Sequence, residues 1–278
     1  MRGKQLTTEE LKERELKILK FFHNYCEENN LTYWLSAGSL IGAVRHKGFI
    51  PWDDDIDVGM PRKDYMRLIQ IFPKEGIDGL KLLTPFNQKD CPITFGKLYD
   101  TKTVKMDDEV EEKYQKYGID IDIFPWDYAP STMEQINYFY KKQYYRFKVF
   151  LGIVGKYRKE KKLSKTVIKT FFMTGCKLLA KINIINANKI ALKMNNAADQ
   201  FDNGKYWCSS MQPLGRKAKG VATKKSFDEL LLVDFESEKF FIPKGYDEML
   251  TNIYGDYMKF PPKEQQVTHH LSSVYERD

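Results

Sequence analysis

The sequence predicts a mixed fold, an α+β / α/β core of strands and flanking helices interrupted by a helical insertion. Three observations predict it. Strand-like and helix-like runs are interspersed up to residue 130, three helix-like runs follow with little strand between them, and strand-like runs return near the C-terminus. The expected organisation is a core over residues 1–130, a basic and aromatic-rich helical region over 131–203, and a C-terminal part over 204–278 that completes the core.

The elements follow from local signals. Thr7 opens a helix with a capping-box pattern to Glu10, Leu11, Glu15, Ile18, Phe22 and Tyr25 recur at helical spacing, and Asn29–Asn30 closes it. Residues 31–37 read as a strand, Gly38–Ser39 as a turn, 40–45 as a short helix and 46–51 as a loop. An aspartate-rich strand comes next, and a helix over 61–72 starts with proline at an early position. Strands are expected at 80–84, 93–99, 103–106 and 119–124, then helices at 134–151, 165–182 and 187–201. Strands at 206–211 and between 230 and 242, with a helix over 246–253, complete the expectation.

Composition narrows the class. Charged residues at 30% and hydrophobic residues at 42% are ordinary for a globular protein, and no run nears the roughly 18 apolar residues of a membrane span. The four cysteines are dispersed without a CxxC pair, which argues against a zinc site or a disulfide framework. The N-terminus begins polar, with no signal peptide, so the expectation is a cytoplasmic protein. Much of the positive charge lies between Lys141 and Lys193. It suits anionic lipid at the inner face of the membrane, a phosphorylated acceptor, nucleic acid, or a solvated helical face. Residues 137–156 interleave Tyr, Phe and Lys as an interfacial helix does, and also as a packed helix with snorkelling lysines does. No RNA-binding signature accompanies them, so nucleic acid is not the expected partner.

The chemistry lies in the acids. Asp53, Asp55 and Asp57 alternate in sequence, so an extended chain puts them on one face while Ile56 and Val58 enter the core. Such crowding calls for a cation, and hard divalent ions prefer carboxylate oxygens. A second strand, GIDIDIFPW at 118–126, repeats the pattern with Asp120 and Asp122. Placed beside the first, it would complete a metal-binding triad with Asp55 and Asp57. Upstream, Gly38 admits close backbone approach and Ser39 offers a hydroxyl, both useful for a phosphate.

A Gly-Ser pair followed by an aspartate-alternating strand and a later acidic strand resembles the nucleotidyltransferase superfamily. The run AGSLIGAVRHKGFIPWDDDIDVGMPRKDY at 37–65 closely resembles the LicD family, which includes bacterial phosphocholine transferases and relatives of fukutin. The likeness continues through FGKLYDTKT at 95–103, IDIFPWD at 121–127 and YGDYMKFPPKEQQVTHH at 254–270, and leaves out the helical middle. The resemblance implies a nucleotidyltransferase-like mixed sheet and transfer of phosphocholine, or a similar phospho-alcohol, from a CDP-linked donor such as CDP-choline. The acceptor would be a hydroxyl of a cell-surface glycan (teichoic acid or lipopolysaccharide) or its lipid-linked precursor, with release of CMP. Asp55, Asp57 and Asp122 would hold Mg²⁺, with Mn²⁺ as the alternative, and Asp53 would hold a second metal or take the acceptor's proton. Gly38, Ser39, Arg45, His46 and Lys97 would meet the donor phosphates, and His269 or His270 would contact phosphate or move a proton. Trp52, Trp126 and Tyr99 would form an aromatic cage for choline. The competing readings are a nucleotidyltransferase with an NTP donor and a non-catalytic glycan- or nucleic-acid-binding module.

Overall fold

The computed structural model describes residues 2–107, 110–115, 117–160, 162–213, 215–267 and 273–277. In chain order the first part comprises β1 (Arg2–Gln5), α1 (Thr8–Glu28), β2 (Trp34–Leu35), α2 (Ala37–Ile41), β3 (Asp57–Pro61), α3 (Arg62–Ile71), β4 (Leu80–Leu83), β5 (Gly96–Asp100), β6 (Thr103–Met106) and β7 (Asp120–Tyr128). The helical middle is α4 (Met133–Val154), α5 (Leu163–Lys181) and α6 (Ala187–Ala198). Strands β8 (Tyr206–Cys208), β9 (Val221–Thr223), β10 (Leu230–Phe235) and β11 (Glu238–Pro243) follow, then α7 (Tyr246–Tyr254) and β12 (Ser273–Arg277). The fold is mixed α/β around a mixed sheet, as the sequence predicts.

The central sheet runs β2-β3-β7-β5-β4, with β8 and β9 added beyond the far end of β7. Among the described residues only β3 and β7 pair in parallel; β2, β5, β4 and β8 are antiparallel to their neighbours. The alternation expected of both acidic segments is present. Ile56, Val58, Ile119, Ile121 and Ile123 are buried in the main core with Ile18, Leu19 and Phe22 of α1. Each such side chain contributes about 1.5–3 kcal/mol. A separate antiparallel sheet joins β1, β12 and β6, and β10 with β11 forms a hairpin.

Helix starts are the best-written features. Thr7 and Thr132 both cap their helices through a complete capping box, with Glu10 and Gln135 as the returning side chains. Where the structure departs from expectation, pairing partners explain it. The strand expected at 31–37 shrinks to two residues, because only Trp34 and Leu35 find partners, Gly59 and Val58. The ladder of the aspartate segment begins at Asp57, so Asp53 and Asp55 sit just ahead of the strand. β7 extends to Tyr128 because β8 pairs with its end. The turn falls one residue early: Ala37 carries the left-handed φ of +45°, and Gly38 and Ser39 already belong to α2. His46 is helical too, closing a π-helical turn over Gly42–His46 that continues α2. The strands β1, β9 and β12 have no counterpart among the expected elements; each is short and is defined by its neighbours.

The motif at 121–127 ends in a residue with a structural task. Asp127 accepts two hydrogen bonds from Arg62, at 2.7 and 2.8 Å, and Arg62 also donates to Asn195 at 2.9 Å. All three are buried, so β7, α3 and α6 are tied together beneath the surface. Removing one partner strands the other charge in the core. Arg62→Met is therefore expected to lower stability by about 3–5 kcal/mol, read as the midpoint of denaturant unfolding; an unchanged midpoint would show that the tie carries no stability.

Candidate functional site

The parallel pairing of β3 with β7 sets Asp57 directly opposite Asp122. The join is continued backwards by the Asp122 amide, which donates to the Ile56 carbonyl at 2.8 Å. The Ser39 hydroxyl accepts from the Asp57 amide at 2.8 Å, which fixes α2 on the start of β3 and leaves the hydroxyl proton available to a ligand. Gly38 is required for space rather than for a turn. A Cβ there would lie 2.5 Å from Asp53 Oδ2, so the Asp53 carboxylate rests against the bare backbone of α2. Gly38, Ser39, Asp53, Asp57 and Asp122 thus come together, with Asp55 sharing the electrostatic field of Asp57.

That field is the defining property of the site. Desolvation, then Asp55, Asp122 and Asp53, push the Asp57 carboxyl well above its ordinary range. Asp122 rises to about 7, through desolvation and through Asp120, against the opposing pull of Lys97. Lys97 stands opposite Asp122 on β5 and its ammonium bonds to both Asp122 and Asp120. Asp120 also takes Lys105 at 3.1 Å. Burial would raise the Asp120 carboxyl, but Lys105 and Lys97 outweigh it and hold it well below the usual range. The two acids of one strand therefore part company: Asp120 is committed to lysines, while Asp122, 17% exposed, faces the opening.

A cavity of about 440 Å³, within the usual size of a ligand pocket, opens beside Asp122. Asp55, Asp120, Asp122 and Lys97 line it, whereas Gly38, Ser39, Asp53 and Asp57 do not. Its walls bring Phe95 and Tyr117 from the segments leading into β5 and β7, and Phe147, Phe150 and Phe172 from α4 and α5, and Lys148, Lys156, Arg158 and Lys169 also line it. The sequence reading missed this aromatic wall. Its members come from four separate segments with no shared motif, and only the basic-aromatic run at 137–156 pointed toward it.

The aromatic trio expected to form a cage is dispersed. Trp126 is 2% exposed and packs in the core with Trp34, Trp207 and Phe227. Tyr99 meets Tyr117. Trp52 joins His46 and Phe260, and Arg45 covers the same Phe260 ring at 4.7 Å. The structure thus groups Arg45, His46 and Trp52 with the C-terminal block. Arg45 donates to His46 Nε2 at 2.9 Å and to the Tyr257 carbonyl at 2.7 Å, and desolvation together with Arg45 lowers the His46 pKa. His269 and His270 lie outside the described residues.

Two further groups were not singled out for the site from sequence. Tyr254 ends α7 with a hydroxyl raised by desolvation and then by Asp57, Asp53 and Asp55; the residue is 45% exposed, which places it at the edge of the acid cluster. Glu15, on the inner face of α1, is buried and is raised by desolvation, with Lys105 opposing and Asp55 and Asp120 adding to the rise. Its helical spacing was legible, but nothing local linked it to the acids.

Among the described residues no three His, Cys, Asp or Glu side chains converge as a ready-made metal-ligand set. The donors nevertheless suit a hard divalent cation. Asp55, Asp57 and Asp122 offer only carboxylate oxygen, and their mutual repulsion is what such an ion relieves. Asp122 would share itself between that ion and Lys97.

A mixed sheet carrying acids on adjacent strands, beside a Gly-Ser helix start, defines a nucleotidyltransferase-like protein. Residues 30–151 match the family model described as LicD/FKTN/FKRP, nucleotidyltransferase domain. Over 98% of its length the chain is 33% identical to the lipopolysaccharide cholinephosphotransferase LicD of Haemophilus influenzae, of which 99% is covered. The protein belongs to the LicD family. A shorter stretch of 38 residues is 50% identical to the mouse ribitol 5-phosphate transferase FKRP, covering 14% of this chain and 8% of that protein. A stretch of 58 residues is 45% identical to an uncharacterized protein of Rickettsia prowazekii, covering 21% of this chain and 22% of that one.

The raised carboxyls imply a pH dependence. In the unfolded chain they ionise in the ordinary carboxylate range, whereas Asp122 folded holds its proton to about 7. The folded state binds more protons in between, so the metal-free protein is expected to lose stability as pH rises from about 4 to about 7. Asp122→Asn should flatten that slope in chelator-treated protein, as followed by thermal unfolding at several pH values; an identical slope would remove Asp122 as its source.

Proposed function

We propose that this protein transfers phosphocholine, or a closely similar phospho-alcohol, from a CDP-activated donor to a hydroxyl of a cell-surface glycan or its lipid-linked precursor. The observation that carries the reading is the pairing of Asp57 with Asp122, which lines an aromatic-walled cavity together with Asp55. Full-length similarity to a lipopolysaccharide cholinephosphotransferase supports the alcohol and the glycan acceptor. The four buried cysteines, none in a disulfide, suit a reducing compartment and support a cytoplasmic setting.

Asp55, Asp57 and Asp122 are the residues that would hold Mg²⁺ or Mn²⁺, which supplies charge neutralisation on the donor's phosphates. The chain's own groups do the rest. The first-turn amides of α2 and the Ser39 hydroxyl offer donors to phosphate oxygens. Asp53, held against Gly38, takes the proton of the acceptor hydroxyl as its oxygen bonds to the donor's alcohol-bearing phosphorus. The bond from that phosphorus to the bridging oxygen breaks, and CMP leaves with that oxygen. Phe147 and Phe172 in the cavity wall give a quaternary ammonium a favourable surface without hydrogen bonds, while Lys97 lies over the rings of Phe95 and Tyr117. Lys97, bonded to Asp120 and Asp122, positions the acids rather than the donor.

Incubation with Mg²⁺ and either CDP-choline or ATP decides between donors. CMP release without pyrophosphate is expected from CDP-choline, and pyrophosphate release from ATP would replace this reading with nucleotidyl transfer. Asp57→Asn is expected to lower kcat by at least about 100-fold. Gly38→Ala, which pushes Asp53 aside, should cost up to about 100-fold while the unfolding midpoint stays close to that of the native protein. Activity surviving both substitutions would place the chemistry elsewhere.

A further inference from the structure

We propose that α5 is a membrane-docking helix that lies on an anionic bilayer surface. Nine of the large apolar side chains exposed on the described surface fall between Leu163 and Ile184. They include Leu163 at 80% exposure, Ile168 at 70%, Phe171 at 82%, Leu178 at 58% and Ile182 at 64%. They fall in two groups at helical spacing on one side, 163–172 along the first half of α5 and 178–184 at its end and just beyond. The opposite side of α5 is a narrow seam: Met173 and Cys176 are its buried residues, and α4 meets it at Gly152, where a Cβ would lie 2.8 Å from Cys176 Sγ. The helix is thus anchored along one line and presents apolar surface along another.

Charge selects the occupant. α5 contains Lys165, Lys169, Lys177 and Lys181 and no acid. From Lys141 to Lys193 there are fifteen lysines and arginines against the single acid Glu160, so this region is far more positive than the whole chain at +7. A second copy of the chain docking symmetrically through α5 would set this positive field against itself. An anionic lipid surface instead satisfies both features, with the apolar stripe entering the acyl boundary and the lysines meeting head groups. No helix among the described residues is long and apolar enough to cross a membrane, so α5 lies along the surface rather than spanning it. The aromatic-rich α4, which the sequence offers as the interfacial helix, is packed along one side, where Phe139, Tyr140 and Phe150 are buried, and exposes Tyr138 and Tyr145 without a comparable apolar stripe.

Position links this surface to the site. Lys169, Phe172 and Met173 of α5 line the same cavity as Asp55 and Asp122, so a docked helix brings that cavity to the lipid. Use of this arrangement for a lipid-borne acceptor rests on the proposed transferase reading, whereas docking itself does not.

The test is cosedimentation of the full chain with vesicles of phosphatidylcholine, with and without phosphatidylglycerol, in the absence of donor and acceptor. Binding is expected to the phosphatidylglycerol vesicles and to weaken as salt is raised. Ile168→Glu with Phe171→Glu should weaken it at least about tenfold, two exposed apolar groups being lost from the interface, while CMP release with a soluble acceptor is unchanged. Lys165→Glu with Lys181→Glu keeps the stripe and should also reduce binding to anionic vesicles, which guards against misfolding of the first variant. Absence of vesicle binding overturns the proposal, as does binding indifferent to both variants. Self-association through α5 in place of vesicle binding, measured by sedimentation equilibrium, overturns it as well. Loss of CMP release with docking intact would count against the transferase reading alone.

Discussion

Everything at this site depends on holding several carboxylates within one another's field. Two adjacent parallel strands bring Asp57 and Asp122 into register, with Asp53 and Asp55 arriving on the preceding segment. Without compensation such a cluster would repel itself apart. The fold compensates by paired ladders, by the amide-to-hydroxyl bond from Asp57 to Ser39, and by Lys97 and Lys105 beside the second strand. The Ile residues on the opposite faces pay for the arrangement by filling the core beneath it.

The lysines also divide labour between chemically identical residues. Asp120 and Asp122 are two apart on one strand and share a face, yet two lysines keep Asp120 ionised and buried while Asp122 titrates near neutrality at the cleft. Different environments assign different tasks to the same functional group. The arrangement gives Lys97 an internal role, since its ammonium is already spent between two acids. It is in keeping with Asp122, rather than Asp120, being the acid that the family resemblance implies as a metal ligand.

The helical middle acts on both sides. Its inner faces close the cavity with aromatic rings, and its outer helix leaves an apolar stripe in a strongly basic setting. A single insertion can therefore shape the ligand pocket and orient it toward a surface. The insertion is fastened to the core by Asn195, which accepts from Arg62 and donates to the Thr94 carbonyl, both bonds buried.

Local rules made much of this protein readable in its sequence. The capping box at Thr7, the period-two alternation around the acids and the three helices of the middle depend on neighbours in the chain, and all are present. The family resemblance, likewise, was carried by contiguous motifs. Tertiary structure decided what depends on partners far away in sequence. It shortened the strand at Trp34, moved the turn to Ala37 and gave Gly38 its reason, the carboxylate of Asp53. It buried Trp126 among core rings, while Phe95, Tyr117 and Phe147 became the walls of the cavity. Burial and long-range charge pairing belong to no single segment, so a linear reading names the acids but cannot say which rings and lysines will surround them.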